Sequence, residues 1–149
     1  MARLTRRQSL ALLACLPAGR AAAEPYYIDG EGLALRGYDP VAYFQQETAQ
    51  KGARDNRVRW DGALWQFETD ENAALFQASP GVYLPEYGGY CAEGIARGFT
   101  RISDPTVWVM VNGKLYLHYT IEAQNRWASD IRGHIRLADK NWPNLRGLW

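Results

Sequence analysis

One cysteine sits in a context able to do chemistry. Cys91 follows Tyr87-Gly88-Gly89-Tyr90 and precedes Ala92. Paired glycines directly before an aromatic and a cysteine mark a backbone that turns sharply or approaches something closely. Residues 91–97 are weakly helical in composition, which places Cys91 at or near a helix N-terminus. The unpaired N–H groups and dipole of a helix start favour thiolate, the form that binds soft metals and attacks electrophiles. The same residue reads equally as an inert buried thiol beside tyrosines, because free cysteine is among the most buried side chains. Tyr87, Gly88, Gly89 and Tyr90 line a site in the first reading and fill the core in the second.

A metal site needs partners for Cys91. His118 and His134 are the only histidines, and Met110 is the only methionine besides Met1. Cys with His and Met is a copper-type ligand set. His118 is the preferred second ligand, although it shares a face with Val109 and Tyr116, where a satisfied core histidine is the commoner outcome. Met110 reads as core against Leu115. A Cys–His pair also allows nucleophilic or redox chemistry at Cys91, but without a resolving cysteine a disulfide cycle needs an external thiol. No phosphate-cradling glycine loop, paired-carboxylate motif or Ser-His-Asp arrangement stands out. The reading is therefore non-catalytic, with no catalytic residue assigned.

The first 23 residues read as an address. They carry Arg3, Arg6, Arg7 and Arg20 with no acid, an apolar stretch from Leu10 to Leu16, and Ala21-Ala22-Ala23 before Glu24. That is the order of an export signal, and the pair Arg6-Arg7 marks it as twin-arginine type. The expected location is periplasmic or secreted. Leu12-Leu13-Ala14-Cys15 also resembles a lipobox, so a lipoprotein anchored at Cys15 is the alternative. Cleavage before Glu24 leaves Cys91 as the only thiol and excludes an internal disulfide. A single thiol carried into an oxidising compartment is buried, paired between chains, or used.

The remaining 126 residues hold 13 basic and 16 acidic side chains, net −3, and all 19 aromatics. A weakly acidic chain without a basic stripe is a poor nucleic-acid binder. No apolar run reaches the roughly 18 residues of a membrane span. At this length one domain, residues 24–149, buries roughly two-thirds of its unfolded surface without staples.

The elements that must position Cys91 are legible. Residues 24–36 read as an extended lead-in. Asp39 caps a short helix with Pro40 at its first position, and residues 46–57 form a polar loop. Asp61-Gly62 signals a type I′ turn, which sets Trp60 opposite Ala63, Val58 opposite Trp65, Arg59 opposite Leu64 and Arg57 opposite Gln66. Val58, Trp60, Trp65 and Phe67 then share the buried face. Thr69 caps a helix to about Ala78, stopped by Pro80-Gly81. The same grammar recurs 51 residues later, with Asn112-Gly113 as the turn and Thr120 as the cap. This is either an internal repeat or the ordinary likeness of two capped hairpin–helix units. Both faces of the second hairpin are apolar, so it should lie centrally in the sheet. Trp127, Ile131, Ile135 and Ala138 form a helical stripe, with Ser129 or Asp130 able to cap a fresh helix and Asn141-Trp142-Pro143 ending it. The tail folds Trp149 back on the body.

Taken together, Gly37-Tyr38-Asp39-Pro40-Val41-Ala42-Tyr43-Phe44, Gly62-Ala63-Leu64-Trp65-Gln66-Phe67, Tyr87-Gly88-Gly89-Tyr90-Cys91-Ala92, Asp104-Pro105, Asn112-Gly113-Lys114-Leu115-Tyr116-Leu117 and Ala138-Asp139-Lys140-Asn141-Trp142-Pro143 resemble the exported bacterial YHS-domain proteins. The resemblance covers about residues 30–145. It implies a small metal-binding module of the kind found beside copper-transporting ATPases and oxygenases. Those modules carry paired cysteines, so their thiolate site does not transfer whole to a chain with Cys91 alone. Asparagine is expected near positions 118 and 134 in the family, so neither histidine belongs to the resemblance.

The expected fold is α+β: a small antiparallel sheet from two hairpins, each followed by a helix, with a C-terminal helical segment packed on it. The expected function is metal binding, of a copper or zinc ion centred on Cys91 and His118, with a periplasmic protein as a further partner. The alternatives are a thiol-dependent redox protein using Cys91, and a structural or interaction domain in which Cys91 is inert.

Overall fold

The computed structural model describes residues 26–146. The export-signal reading, with Arg6, Arg7 and Cys15, and the packing of Trp149 fall outside these residues.

The fold is α+β. In chain order it runs α1 (Pro40–Gln45), β1 (Arg57–Trp60), β2 (Ala63–Gln66), α2 (Asp70–Ala78), α3 (Pro80–Tyr83), α4 (Ala92–Ala96), β3 (Asp104–Val111), β4 (Lys114–His118), α5 (Ile121–Ala128) and α6 (Ile131–Leu145). The first hairpin has the register that its Asp-Gly turn dictates: Arg57 with Gln66, Val58 with Trp65, Arg59 with Leu64 and Trp60 with Ala63. Asn112-Gly113 likewise pairs Val111 with Lys114 and Met110 with Leu115. Thr69, Thr120 and Asp130 each accept a backbone N–H at the start of α2, α5 and α6.

Two expectations are corrected. The hairpins do not pair with each other but stand as two separate two-stranded sheets. The second is central in a different sense: Leu115 and Leu117 face one core cluster with Trp65, Phe67, Phe76 and Tyr43, while Tyr116 faces another with Trp127, Ile95 and Ala138. The helix capped by Thr69 ends at Ala78 just before Pro80, as expected, and Pro80 then opens the separate α3, where a missing N–H costs nothing. Pro143 lies inside α6, which runs on to Leu145. The missing Pro143 N–H removes only the one helical bond to the Asp139 carbonyl, a loss a fifteen-residue helix absorbs near its end.

The likeness of the two hairpin–helix units extends upstream, where capped hairpins alone do not require it. Leu35, Arg36 and Gly37 have φ of 52°, 51° and 79°, and Tyr87, Gly88 and Gly89 have 53°, 62° and 80°. Two residues after each left-handed run comes a helix N-cap, Asp39 for α1 and Cys91 for α4. Their backbone N–H groups donate to Gln50 at 2.8 Å and to Arg101 at 2.9 Å. Leu33 bridges Leu64 in parallel sense, as Pro85 bridges Leu115. Phe76 and Trp127 are both fully buried. The chain thus repeats its backbone, and Cys91 occupies in the second half the place of Asp39 in the first.

Candidate functional site

Cys91 is held from both sides by backbone. The left-handed turn Tyr87-Gly88-Gly89 closes with Tyr90 N–H donating to the Tyr87 carbonyl at 3.1 Å, and Ser103 Oγ donates to the Gly89 carbonyl at 2.5 Å. At Gly89 the φ of +80° is strained for any L side chain. Cys91 then bridges Leu117 of β4 and its carbonyl accepts from Ile95 at 3.0 Å as α4 begins. The residue is 1 % exposed, and its thiol makes no capping hydrogen bond.

Asp39 shows what that position does when filled by a carboxylate. Its Oδ1 accepts from Val41 N at 2.8 Å and Ala42 N at 3.3 Å. Its Oδ2 accepts from Glu68 N at 2.8 Å and Asn72 Nδ2 at 2.7 Å. It therefore ties the starts of α1 and α2 together, more than the simple cap its sequence context suggested. Cys91 takes this place with a side chain that bonds neither helix.

His118 closes β4 and is 0 % exposed. By the 51-residue offset it stands where Phe67 stands in the first half, and it packs on Trp127 (ring centroids 5.1 Å) as Phe67 packs on Phe76 (5.2 Å). A histidine in a phenylalanine position has nothing to bond. Neither ring nitrogen has a partner, and nor does Trp127 Nε1. Burial pushes the imidazole down from 6.5 to about 4, with His134 adding to the fall and the Glu93 carboxylate opposing it. Such orphaned buried groups call for an explanation such as an ion or an internal water.

Glu93 and Arg126 complete the surroundings, and sequence reasoning passed over both. Glu93 is 4 % exposed and accepts from Arg126 Nε at 3.0 Å and Arg97 Nη1 at 3.3 Å. Burial pushes its carboxyl up, but the two guanidinium groups outweigh this and hold it below the usual range. Arg126 is raised chiefly by Glu93, and Cys91 also contributes to it, which places the thiol within electrostatic reach of α5. The only signal in the sequence was an acid on the otherwise apolar Ala92–Ala96 turn.

The other expected residues disperse. Met110 lies in the first cluster opposite Leu115, whereas the His118 ring lies on Trp127 of the second. One ring nitrogen of His134 bonds the Asp130 carbonyl at 2.8 Å, in a shallow cleft on α6. Tyr87 and Gly88 line a cavity of about 320 Å³ with Tyr26, Asp61 and Trp142. Tyr87 donates to Asp139 at 2.9 Å. Tyr90 packs edge-on against Tyr27 within the second cluster. Among the described residues no group of three or more His, Cys, Asp or Glu side chains is placed to hold a metal together, and no helix is long and apolar enough to cross a membrane.

Comparison with protein-family models, curated proteins and solved structures found no match.

Proposed function

We propose that this chain is a non-catalytic binding module resembling YHS domains, and that its buried Cys91 and His118 take up a single soft metal ion of the copper(I) class. The observation that carries the reading is His118, buried without a partner on either ring nitrogen and within reach of the Glu93 charge, whose partner Arg126 also feels the Cys91 thiol. A neutral imidazole lacking a hydrogen bond is ready to ligate, and the fall of its pKa to about 4 keeps it unprotonated at neutral pH.

Charge decides between metals. A monovalent ion with one thiolate is neutral overall and enters a buried site at modest cost, whereas a divalent ion with one thiolate leaves an uncompensated charge there. Zinc also calls for four ligands in a closed site, and the described residues offer no such group. Copper(I) is therefore favoured over zinc. The metal would be held by Cys91 Sγ and one His118 nitrogen, with the Glu93 charge already matched by Arg126 and Arg97. Export by the twin-arginine route, which moves folded proteins, suits a module loaded before it leaves the cytoplasm, and a periplasmic protein is its proposed recipient or donor.

The test is competition for copper(I) against a chromophoric chelator, with the wild type beside Cys91→Ser and His118→Phe. The wild type should withdraw one equivalent and both variants should withdraw far less. Equal withdrawal by all three, or none by the wild type, overturns the proposal. A second reading draws on the Asp39 counterpart: Cys91 is a structural cap position occupied by a small buried residue. Under it Cys91→Ser folds normally and metal changes nothing. Redox chemistry is the least supported alternative, since a thiol 1 % exposed offers oxidants little access.

A further inference from the structure

None of the residues that line a second candidate site is Cys91 or His118. We propose that the cleft between the left-handed turn at Arg36 and the first hairpin binds a small, multiply charged oxyanion. Arg36, Lys51, Arg54 and Arg57 line a cavity of about 140 Å³ backed by Gln66. Arg36 and Lys51 also wall an adjoining cleft of about 260 Å³ with Tyr38 and Thr106. Among the described residues the ion pairs are Arg97–Glu93, Lys114–Glu86 and Arg126–Glu93, so none of the four cations is neutralised by one.

Two of these cations are held in place. Gln66 is 4 % exposed; its Nε2 donates to the Gly52 carbonyl at 2.6 Å and the Gly37 carbonyl at 3.4 Å. Its Oε1 accepts from Arg57 Nε at 2.9 Å, fixing the guanidinium. Lys51 Nζ donates to the Arg36 carbonyl at 2.8 Å and sits 4.8 Å from the Tyr38 ring centre. A guanidinium positioned by a buried amide suits oxyanion recognition, because its planar fork matches two oxygens at once. Three acids border the two clefts, Asp29, Glu31 and Asp104; each keeps its charge, and Asp104 is within electrostatic reach of Arg36, which leaves Lys51, Arg54 and Arg57 as the cations that face a ligand. Asp29 Oδ1 accepts from the N–H groups of Glu31 and Leu33, both at 2.9 Å, and Asp104 Oδ1 accepts from Thr106 N and Oγ1 at 2.8 and 2.7 Å. Glu31 is exposed at the cleft edge.

The repeated backbone supplies a control. Counterparts of Arg36, Lys51, Arg57 and Gln66 in the second half are Gly88, Ile102, Trp108 and Leu117, all uncharged. The fold thus does not require cations at these places, and their gathering runs against a 126-residue stretch of net −3.

Thermal melts of the full chain with inorganic phosphate, sulfate and citrate, against chloride at matched ionic strength, test this. The expected result is a saturable rise in Tm with the multivalent anions and none with chloride. The half-saturating concentration should rise at least tenfold in Arg54→Gln and in Arg57→Gln. Among the described residues the Arg54 side chain makes no hydrogen bond or ion pair, so its variant reports on the cleft without disturbing the hairpin. A stronger response to phosphate than to citrate assigns phosphoryl groups, and the reverse assigns carboxylates. A rise that chloride reproduces, or that survives in both variants, overturns the proposal.

Discussion

Replacing His118 by phenylalanine should make the metal-free protein more stable. The parent buries two imidazole nitrogens with no partner, a burden of about 1–3 kcal/mol for an unsatisfied buried group. Phenylalanine removes it, and the Phe67–Phe76 pair in the first half shows that this backbone accepts the ring. Trp127 is bulkier than Phe76, so tighter packing returns part of the gain, leaving about 1 kcal/mol at pH 7.5. A larger difference appears in acid. The folded state holds the His118 pKa near 4 against 6.5 unfolded, so between these values the unfolded chain binds more protons and stability falls as pH falls. The loss is complete below the folded value at about 3 kcal/mol and amounts to about 2 kcal/mol at pH 5. Urea unfolding of both proteins at pH 7.5 and pH 5 isolates this, because other titrating groups are common to the pair. The variant should lead by about 1 kcal/mol at the higher pH and about 3 kcal/mol at the lower. A constant difference between the two pH values would refute the burial argument.

Other consequences follow from the same geometry. Asp39→Ala strips four buried hydrogen bonds that join α1 to α2 and should cost at least about 3 kcal/mol in urea unfolding. Gly52→Ala would bring a Cβ to 2.7 Å from the backbone of Gln66 and Phe67, whereas Gly113→Ala meets nothing within 4 Å and only strains a φ of +73°. The first should lower stability by well over 2 kcal/mol and the second by about 1 kcal/mol, as melts of the two variants would show. Glu93→Gln removes a charge that raises the His118 pKa, so NMR titration of the imidazole should place it lower still. Because the Glu93 carboxyl is itself held low, its stabilisation is present above the unfolded carboxyl pKa and fades as pH falls through the folded one. In the variant that part of the acid sensitivity should vanish.

Much of this was legible in the sequence because it is local. Asp-Gly and Asn-Gly fix a hairpin register through the handedness of a two-residue turn, and Thr69, Thr120 and Asp130 cap by bonding residues three positions on. Cys91 as a helix start was readable from the weakly helical residues 91–97 for the same reason. What the sequence withheld is long-range. Asp39 reaches Asn72 across 33 residues, and Glu93 reaches Arg126 across another 33; neither spacing has a periodic signature. The separation of the hairpins into two sheets depends on Leu33, Pro85 and Cys91 lying along their outer edges, in segments without alternation. The upstream repeat was hidden because backbone conformation is shared where side chains are not: Leu35-Arg36-Gly37 and Tyr87-Gly88-Gly89 agree in φ and in almost nothing else.

The central claim concerns what touches Cys91 and His118. X-ray absorption at the copper edge of the protein loaded with one equivalent of copper(I) reads it directly. One sulfur and one imidazole nitrogen around the metal, with the nitrogen lost in His118→Phe, is the predicted result. A spectrum with two or more sulfur neighbours, or one unchanged in the variant, would contradict it.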